Sequence, residues 1–209
     1  MSNTNTKRLD WVKVLSAEAE VSDVVLVDEL AAKYGLSTPS AWKVVSRLKK
    51  RGLLSRVSNG VYLNKFVRDA SALDFVNLLK PNSYVSLEWA MHHWGISTQS
   101  PFSLTCVTTD KSKEYRTPEF AITLRTISKH LFWGFIEKKT RYSNYRIAEP
   151  EKALLDWIYL TLQSGLTPRL DELELQKLNI QKLSKYVEKY PKTVRSTLAN
   201  SLAFEHFPA

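Results

Sequence analysis

The chain has 209 residues, of which 44% are hydrophobic and 11% aromatic, so it has the composition of a globular protein and not of a disordered one. No apolar run approaches the roughly 20 residues that span a bilayer, and residues 1–8 lack the apolar core of a signal peptide. A single cysteine, Cys106, excludes an intramolecular disulfide and a cysteine-based zinc cluster. These features predict a cytoplasmic protein without a membrane partner.

The formal net charge is +9, and the basic residues are unevenly distributed. Residues 37–68 contain eight Lys or Arg and no Asp or Glu, whereas residues 1–36 contain four bases and six acids. A basic block this concentrated indicates a polyanionic partner, first of all a nucleic acid. The alternative is a solvated, lysine-rich surface without a partner, but such surfaces usually carry acids between the bases.

The N-terminal third shows helical spacing over residues 8–18 and 27–34, and a third helix is predicted between Gly35 and Gly52. Thr38 is expected to cap this third helix, with Pro39 at its first position. Its buried face then carries apolar residues at i, i+3, i+4 and i+7, namely Ala41, Val44, Val45 and Leu48.

Two short strands are predicted over residues 53–57 and 61–65, joined by Asn59-Gly60. Asn-Gly is a strong hairpin signal because both residues accept positive φ. Two helices, a turn, a third helix and a hairpin within residues 1–67 predict a winged helix-turn-helix DNA-binding domain. A winged helix used for protein contacts is the alternative.

In such a domain the polar face of the third helix meets base edges and phosphates. Lys43 and Arg47 can donate to guanine, and serine hydroxyls can bond to several base atoms. Basic residues near the helix end are expected on phosphates, and those of the hairpin on an adjacent groove or backbone. The candidate DNA-binding residues are Thr38, Ser40, Lys43, Ser46, Arg47, Lys49, Lys50, Arg56, Asn59 and Lys65.

The composition changes near residue 68, and residues 68–209 are predicted to form a second domain. The spacing predicts helices over 69–79, from a cap at Ser86 to Gly95, over 149–162, over 173–190 and over 191–204. Strands are predicted over 102–108 and 120–127, with weaker signals at 131–135 and 145–148. The fold class is therefore α+β, with a mixed α/β C-terminal domain in which helices cover a small sheet.

Residues 111–146 hold nine Lys or Arg against three Asp or Glu. A second DNA contact, an RNA contact and a merely soluble surface all remain open for this region.

Signals for catalysis are weak. Asp110, with Glu137 and Lys139 downstream, loosely matches the acid…Glu-x-Lys spacing of metal-dependent nucleases, but so short a pattern arises often by chance. His92 and His93 are adjacent on a predicted helix and point to different faces, so they cannot chelate one metal together. With no phosphate-binding or dinucleotide-binding glycine loop, we expect no enzymatic activity, no metal and no cofactor.

Two segments of the second half resemble a known family. Tyr84-Val85-Ser86-Leu87-Glu88 and Ala148-x-Pro150-Glu151-Lys152-Ala153-Leu154-x-Asp156 are similar to segments of the AbiEi-type antitoxins of type IV toxin–antitoxin systems. The resemblance implies a repressor that binds inverted repeats in its own promoter, as double-stranded DNA. It also implies that the C-terminal antitoxin domain counters a cognate nucleotidyltransferase-like toxin functionally, without a stable complex.

Within the second segment Glu151, Lys152 and Asp156 are possible functional residues of the antitoxin domain. The alternative is structural, because acids suit the first turn of a helix and Lys152 can pair with Asp156 four residues on. For the whole chain, a stand-alone winged-helix transcriptional regulator whose C-terminal domain senses a ligand or mediates assembly is the competing hypothesis.

Overall fold

The computed structural model describes residues 9–203, and side chains within residues 9–200. The N-terminal part contains, in order, α1 (Trp11–Glu18), β1 (Val24–Leu26), α2 (Val27–Lys33), α3 (Thr38–Lys50), β2 (Leu54–Ser58) and β3 (Val61–Asn64). The three expected helices and the expected hairpin are present. Arg8, which falls within the first predicted helix, lies outside the described residues.

A three-stranded antiparallel sheet in the order β1-β3-β2 supports these helices. The sequence pattern did not predict a strand at Val24–Leu26, because a strand of three residues has too few positions to show alternation. It forms through pairing with the hairpin, where Val25 lies opposite Tyr62. The core of this part combines the stripe of α3 with residues from every other element, including Leu15, Leu30, Leu54 and Tyr62.

The C-terminal part contains six strands and five helices among the described residues. These are α4 (Leu73–Leu79), β4 (Ser83–Val85), α5 (Leu87–His93), β5 (Leu104–Thr108), β6 (Lys113–Arg116), β7 (Ala121–Thr126), β8 (Phe135–Lys139), β9 (Asn144–Ala148), α6 (Pro150–Gln163), α7 (Ile180–Val187) and α8 (Lys192–Ala203). The strands form one mixed sheet in the order β6-β7-β5-β4-β9-β8. The pairs β5–β7 and β4–β9 are parallel, and the other three are antiparallel.

The centre of this sheet is fully covered. Every residue of β4 and β5 is buried, as expected for strands with packed faces on both sides. α6 has nine buried residues, more than any other helix whose side chains are described, and packs against α5, α7 and α8. The sheet is larger than the small one predicted, because β6 and β8 extend it at both edges.

Two predictions for this half were wrong and one strand was missed, each for a local reason. β6 was not predicted because only Tyr115 of its four residues is buried and the other three are charged and exposed. The strand expected at 131–135 is a 3-10 turn ending at Leu131, and β8 begins only at Phe135. The helix expected over 173–190 begins at Ile180, where the Asn179 side chain accepts the Lys182 amide at 3.0 Å. The predicted end of the last helix at Phe204 lies outside the described residues.

The two parts meet at a junction, by which we mean the contacts between residues 9–67 and residues 68–200. Val57 and Leu63 of the hairpin belong to the core of the C-terminal part. The Tyr142 hydroxyl donates to the carbonyl of Ala19 at 3.0 Å, and Glu119 contacts Ser55 and Lys65. The orientation of the hairpin is therefore set partly by the second half.

Within residues 9–203, none of the helices combines the length and the apolar character needed to cross a membrane.

Candidate functional site

The exposed face of α3 follows from how the helix is anchored. Ala41, Val44, Val45 and Leu48 are buried, which turns the opposite face to solvent. The helix begins at Thr38, so the N-cap is Ser37, one residue earlier than predicted, and Pro39 occupies the second position. Neither Ser37 nor Thr38 caps the helix through its side chain, because the Ser37 hydroxyl donates instead to Oγ of Ser40 at 2.8 Å.

All seven candidate residues of α3 are exposed: Thr38, Ser40, Lys43, Ser46, Arg47, Lys49 and Lys50. Its four candidate cations form no ion pair with any described residue. Arg47, Lys49 and Lys50 lie in the last turn, where positive charge also favours the helix dipole. The structure thus groups unpaired cations and small hydroxyls on one accessible helical face.

The hairpin candidates Arg56 and Asn59 are exposed beside each other. Arg56 donates from Nε to the carbonyl of Ser58 at 3.3 Å and from Nη2 to Oδ1 of Asn59 at 3.4 Å. Only Gly60 of the turn has positive φ (73°), although both turn residues were expected to have it. The two-residue turn is present at Asn59-Gly60, and a bulge between Arg56 and Ser58 shifts the register of β2 by one residue just before it.

Lys65 differs from the other candidates because it is already paired. Its Nζ lies 3.0 Å from Oε1 of Glu119, which also accepts the Ser55 hydroxyl at 2.9 Å. Burial raises the pKa of Glu119, but the hydrogen bonds from Lys65 and Ser55 outweigh it and hold this pKa below the usual range. Lys65, which the sequence pattern places on DNA, is thus paired across the junction in the structure.

The other three candidates lie on α6, where Lys152 and Asp156 are both completely buried and form the predicted ion pair. Asp156 accepts hydrogen bonds from the hydroxyls of Tyr84 and Ser86, each at 2.9 Å, and from Tyr190 at 2.7 Å. Nζ of Lys152 also donates to the Tyr190 hydroxyl at 2.7 Å. We call Tyr84, Ser86, Lys152, Asp156 and Tyr190 the buried polar cluster.

Aromatic rings complete the surroundings of Lys152. Its Nζ lies 5.5, 5.0 and 5.3 Å from the ring centres of Tyr84, Trp133 and Tyr190. Burial lowers the pKa of Lys152, and the charge and hydrogen bond of Asp156 oppose this shift. Burial and the charge of Asp156 raise the pKa of both Tyr84 and Tyr190 well above the usual range, so both hydroxyls stay protonated donors.

Ser86 is the N-cap residue of α5, as predicted, but its side chain does not cap the helix. Its hydroxyl is turned to Asp156, and no side chain caps the helix. The next residue, Leu87, has φ of 60°, a strained conformation for a side chain with Cβ, and its side chain is fully buried. The buried polar cluster and this backbone strain therefore lie next to each other at the end of β4.

Glu151 has a structural partner as well. Its Oε1 accepts the Asn179 amide at 2.9 Å, and its Oε2 lies 3.5 Å from Nζ of Lys182. Lys182 also contacts Glu149 at 2.7 Å. All three α6 candidates are thus used in internal contacts, which favours the structural alternative for each. Tyr190 and Trp133 could not be predicted as members of this site, because the sequence carries no local signal for them.

The nuclease-like residues are not brought together. Asp110 follows β5 and lies 3.3 Å from Nζ of Lys80, whereas Glu137 and Lys139 are on β8, with β4 and β9 in between. His92 lies 3.3 Å from the Ser97 carbonyl, while His93 contacts Lys138 at 2.8 Å. In the described part of the chain no group of three or more His, Cys, Asp or Glu is placed to hold a metal.

The basic region 111–146 does not form one surface. Lys113 and Arg116 lie on β6 at one edge of the sheet, and Lys138 and Lys139 lie on β8 at the other. Five strand spacings separate these edges, or roughly 24 Å. Arg125 points inward and donates to the carbonyl of Leu160 at 2.9 Å. Any contact of this region with a nucleic acid would therefore involve one edge at a time.

No protein-family model matches the chain, and no curated protein matches it.

Proposed function

We propose that the protein is a DNA-binding transcriptional repressor whose N-terminal part is a winged helix-turn-helix domain. The observation that carries the proposal is the outer face of α3, with exposed Lys43, Arg47, Lys49 and Lys50, none of them ion-paired among the described residues. In a solvated surface without a partner, we would expect acids to offset these charges.

The order of the N-terminal elements supports the same proposal. A helix, a short strand, two further helices and a hairpin, with a β1-β3-β2 antiparallel sheet, is the arrangement expected of a winged helix. α3 would enter the major groove, and Arg56 and Asn59 of the hairpin would reach the adjacent groove or backbone. Lys65 would remain with Glu119 at the junction.

We further propose that the protein acts in the cytoplasm as the antitoxin of a type IV toxin–antitoxin system, repressing its own promoter. The support is the resemblance of residues 84–88 and 148–156 to AbiEi-type antitoxins. Tyr84 and Ser86 of the first segment contact Asp156 of the second, so the two segments form one buried unit. The partners would be inverted repeats of double-stranded DNA and a nucleotidyltransferase-like toxin, countered without a stable complex. No enzymatic step is part of this proposal.

The competing proposal is a stand-alone regulator that senses a ligand. Such a ligand would find room in a polar cleft of about 510 Å³ at the junction, with Arg68, Asp69, Arg141 and Tyr142 among its lining residues. The neighbouring gene distinguishes the two functions, since a nucleotidyltransferase-like reading frame beside this one is expected only for the antitoxin.

DNA binding is tested by gel-shift titration of the upstream region at several salt concentrations. We expect the logarithm of affinity to fall linearly with the logarithm of salt concentration, because phosphate contacts release counterions. Lys43→Ala and Arg47→Ala should each cost about 1–3 kcal/mol if these residues read bases. Lys185→Ala, which removes an exposed lysine from α7, is the matched control and should bind normally. Salt-independent binding, or normal binding by the double variant, would refute the role of α3.

Antitoxin activity is tested separately by growth rescue of cells that express the neighbouring nucleotidyltransferase-like protein. The Lys43→Ala/Arg47→Ala variant should still rescue growth, because its C-terminal half is unchanged. Failure of the wild-type protein to rescue growth would favour the stand-alone regulator.

A further inference from the structure

The junction contains a carboxyl group that lacks the partners a buried charge needs. Asp23 lies between α1 and β1, and its side chain is completely buried. Its two carboxyl oxygens accept no well-aligned hydrogen bond among the described residues, and the nearby backbone amides of Asp23 and Ser71 only partly offset the loss of hydration. Its position is fixed, because its backbone carbonyl accepts the Asn64 amide at 2.8 Å. An ionised carboxylate in this position would be strongly disfavoured by the loss of hydration.

The group that faces Asp23 from the other half of the protein is a second acid. Asp74 of α4 is 5% exposed and influences Asp23 electrostatically. Asp74 is held in place, since its backbone amide donates to the Ser71 carbonyl at 3.1 Å and its Oδ1 accepts the Thr140 hydroxyl. The junction therefore brings together one acid from each half of the chain.

No cation compensates this pair. Neither Asp23 nor Asp74 forms an ion pair with a described Lys or Arg. Among the charged residues around the junction, Glu20, Arg68, Asp69 and Arg141 are exposed and line the cleft beside it, and Lys65 pairs with Glu119. Arg141 is directed to Glu20, at 3.9 Å.

A proton bound to one of the two carboxyl groups would remove one of the two buried negative charges. An ionised carboxylate only accepts hydrogen bonds, so two of them can bond to each other only when one carries a proton. Burial, followed by the charge of Asp74 and a hydrogen bond with it, raises the pKa of Asp23 to about 7, and the backbone amides of Asp23 and Ser71 oppose this shift.

We propose that Asp23 and Asp74 share one proton across the junction, and that loss of this proton loosens the contact between the two halves. The junction is then tight in mildly acidic solution and weakens as the pH rises through neutrality. This direction is opposite to that of the Lys65–Glu119 contact, which needs an ionised carboxylate. The arrangement of the halves becomes sensitive to pH over a range in which exposed carboxylates do not titrate.

The test is hydrogen exchange followed by mass spectrometry on the full chain between pH 6 and pH 8, corrected for intrinsic exchange rates. We expect the protection of peptides covering residues 19–26 and 71–77 to fall about tenfold over this range. Linkage requires this fall when a carboxyl group has a pKa near neutrality in the closed junction and an ordinary pKa once the junction has opened. In Asp23→Asn the amide donates to Asp74 at every pH, so protection should be high and constant.

Asp74→Asn provides a second variant with the same expectation, because its amide can donate to Asp23. Asp69→Asn, which changes an exposed acid beside the same cleft, should keep the pH dependence of the wild-type protein. Equal pH dependence in the wild-type protein and in both asparagine variants would overturn the proposal. A protection that responds to added Mg²⁺ or to EDTA in the wild-type protein would also overturn it, since a metal ion would then take the place of the proton.

Discussion

Lys152 and Asp156 lie one turn apart on α6 and form an ion pair in which both side chains are completely inaccessible to solvent. Hydroxyls from β4, from the residue that follows it and from the turn before α8 supply the remaining hydrogen bonds of the carboxylate. Removing two charges from water costs much free energy, so a buried ion pair stabilises the fold little more than a well-packed apolar pair would. Loss of one partner is nevertheless strongly destabilising, because the other charge is then buried without compensation. The pair therefore fixes how α6 sits on the sheet.

Removing one charge of this pair should be far more damaging than removing an exposed charge. Lys152→Met leaves Asp156 buried without a cation, and we expect the free energy of unfolding to fall by about 3–5 kcal/mol. Urea denaturation followed by tryptophan fluorescence measures the loss. The double variant Lys152→Met/Asp156→Leu removes both charges and should recover part of it.

The matched control is Arg169→Ala. Arg169 and Glu172 also pair at helical spacing, at 3.1 Å, but their side chains are 78% and 42% exposed. An exposed pair contributes less than about 1 kcal/mol, so this variant should unfold close to the wild-type midpoint. An equal fall in the free energy of unfolding for Lys152→Met and Arg169→Ala would show that burial does not make the Lys152–Asp156 pair more costly to break than an exposed pair.

Gly134 is required by the same cluster. It has φ of 73°, and a Cβ added there would lie 3.1 Å from Cγ of Lys152, whose side chain cannot move because it is enclosed. Gly134→Ala should lower the free energy of unfolding by about 2–4 kcal/mol, because backbone strain and this steric conflict add together.

Gly165→Ala separates the two causes, because Gly165 has the same φ of 73° and an added Cβ there would meet no atom within 4 Å. It should cost only about 1–2 kcal/mol by thermal or chemical denaturation. Equal costs would mean that the contact with Lys152 is unimportant.

The elements that could be predicted are those whose signals are local. α3 and α6 carry a proline in the first turn and an apolar stripe, and the hairpin carries Asn59-Gly60. β1 and β6 could not be predicted, since their strand character comes from pairing with β3 and β7 rather than from alternation in their own residues. A cooperative sheet can recruit short or charged edge segments that would not form strands alone.

The same distinction applies to the candidate site. The exposed face of α3 could be predicted because burial of one helical face determines the other. Ser86 was assigned to a helix cap from its local sequence, but Asp156, 70 residues away, takes its hydroxyl. The basic block similarly predicts Lys65 on DNA, and it carries no sign of the ion pair with Glu119, 54 positions downstream. Long-range partners that compete for a polar side chain leave no pattern in the nearby sequence.

Acid should weaken the contact between α6 and α7 through Glu149. Burial raises the pKa of Glu149, but hydrogen bonds from Lys182 and Tyr186 outweigh this and lower it below 4.5. Folding therefore favours the ionised form of Glu149. Its contribution to the free energy of unfolding is complete above the pKa that Glu149 has in the unfolded chain, and is lost as the pH falls through its lower pKa in the folded protein. Glu149→Gln should reduce the urea midpoint at pH 7 and have little effect near pH 3.

Glu137→Gln is the control for this acid effect, since Glu137 is exposed and forms no ion pair within the described residues. Its midpoint should follow the wild-type protein at every pH. If the wild-type and Glu149→Gln midpoints stay equally far apart from pH 7 to pH 3, the contact with Lys182 does not depend on the charge of Glu149.

Lys65 and Lys43 should respond differently when DNA binding is measured, although both belong to the same basic segment. Lys43 is unpaired among the described residues, whereas Lys65 is held by Glu119 at 3.0 Å. We expect Lys43→Ala to weaken promoter binding by about 1–3 kcal/mol, and Lys65→Ala to have less than about half that effect.

Glu119→Gln removes the negative partner of Lys65 and frees its ammonium group for a phosphate. The affinity for DNA should then rise, and its salt dependence should become steeper by about one phosphate contact. Gel shifts at two salt concentrations measure both quantities. A large loss with Lys65→Ala and no change with Glu119→Gln would instead place Lys65 on the DNA and leave Glu119 without influence on it.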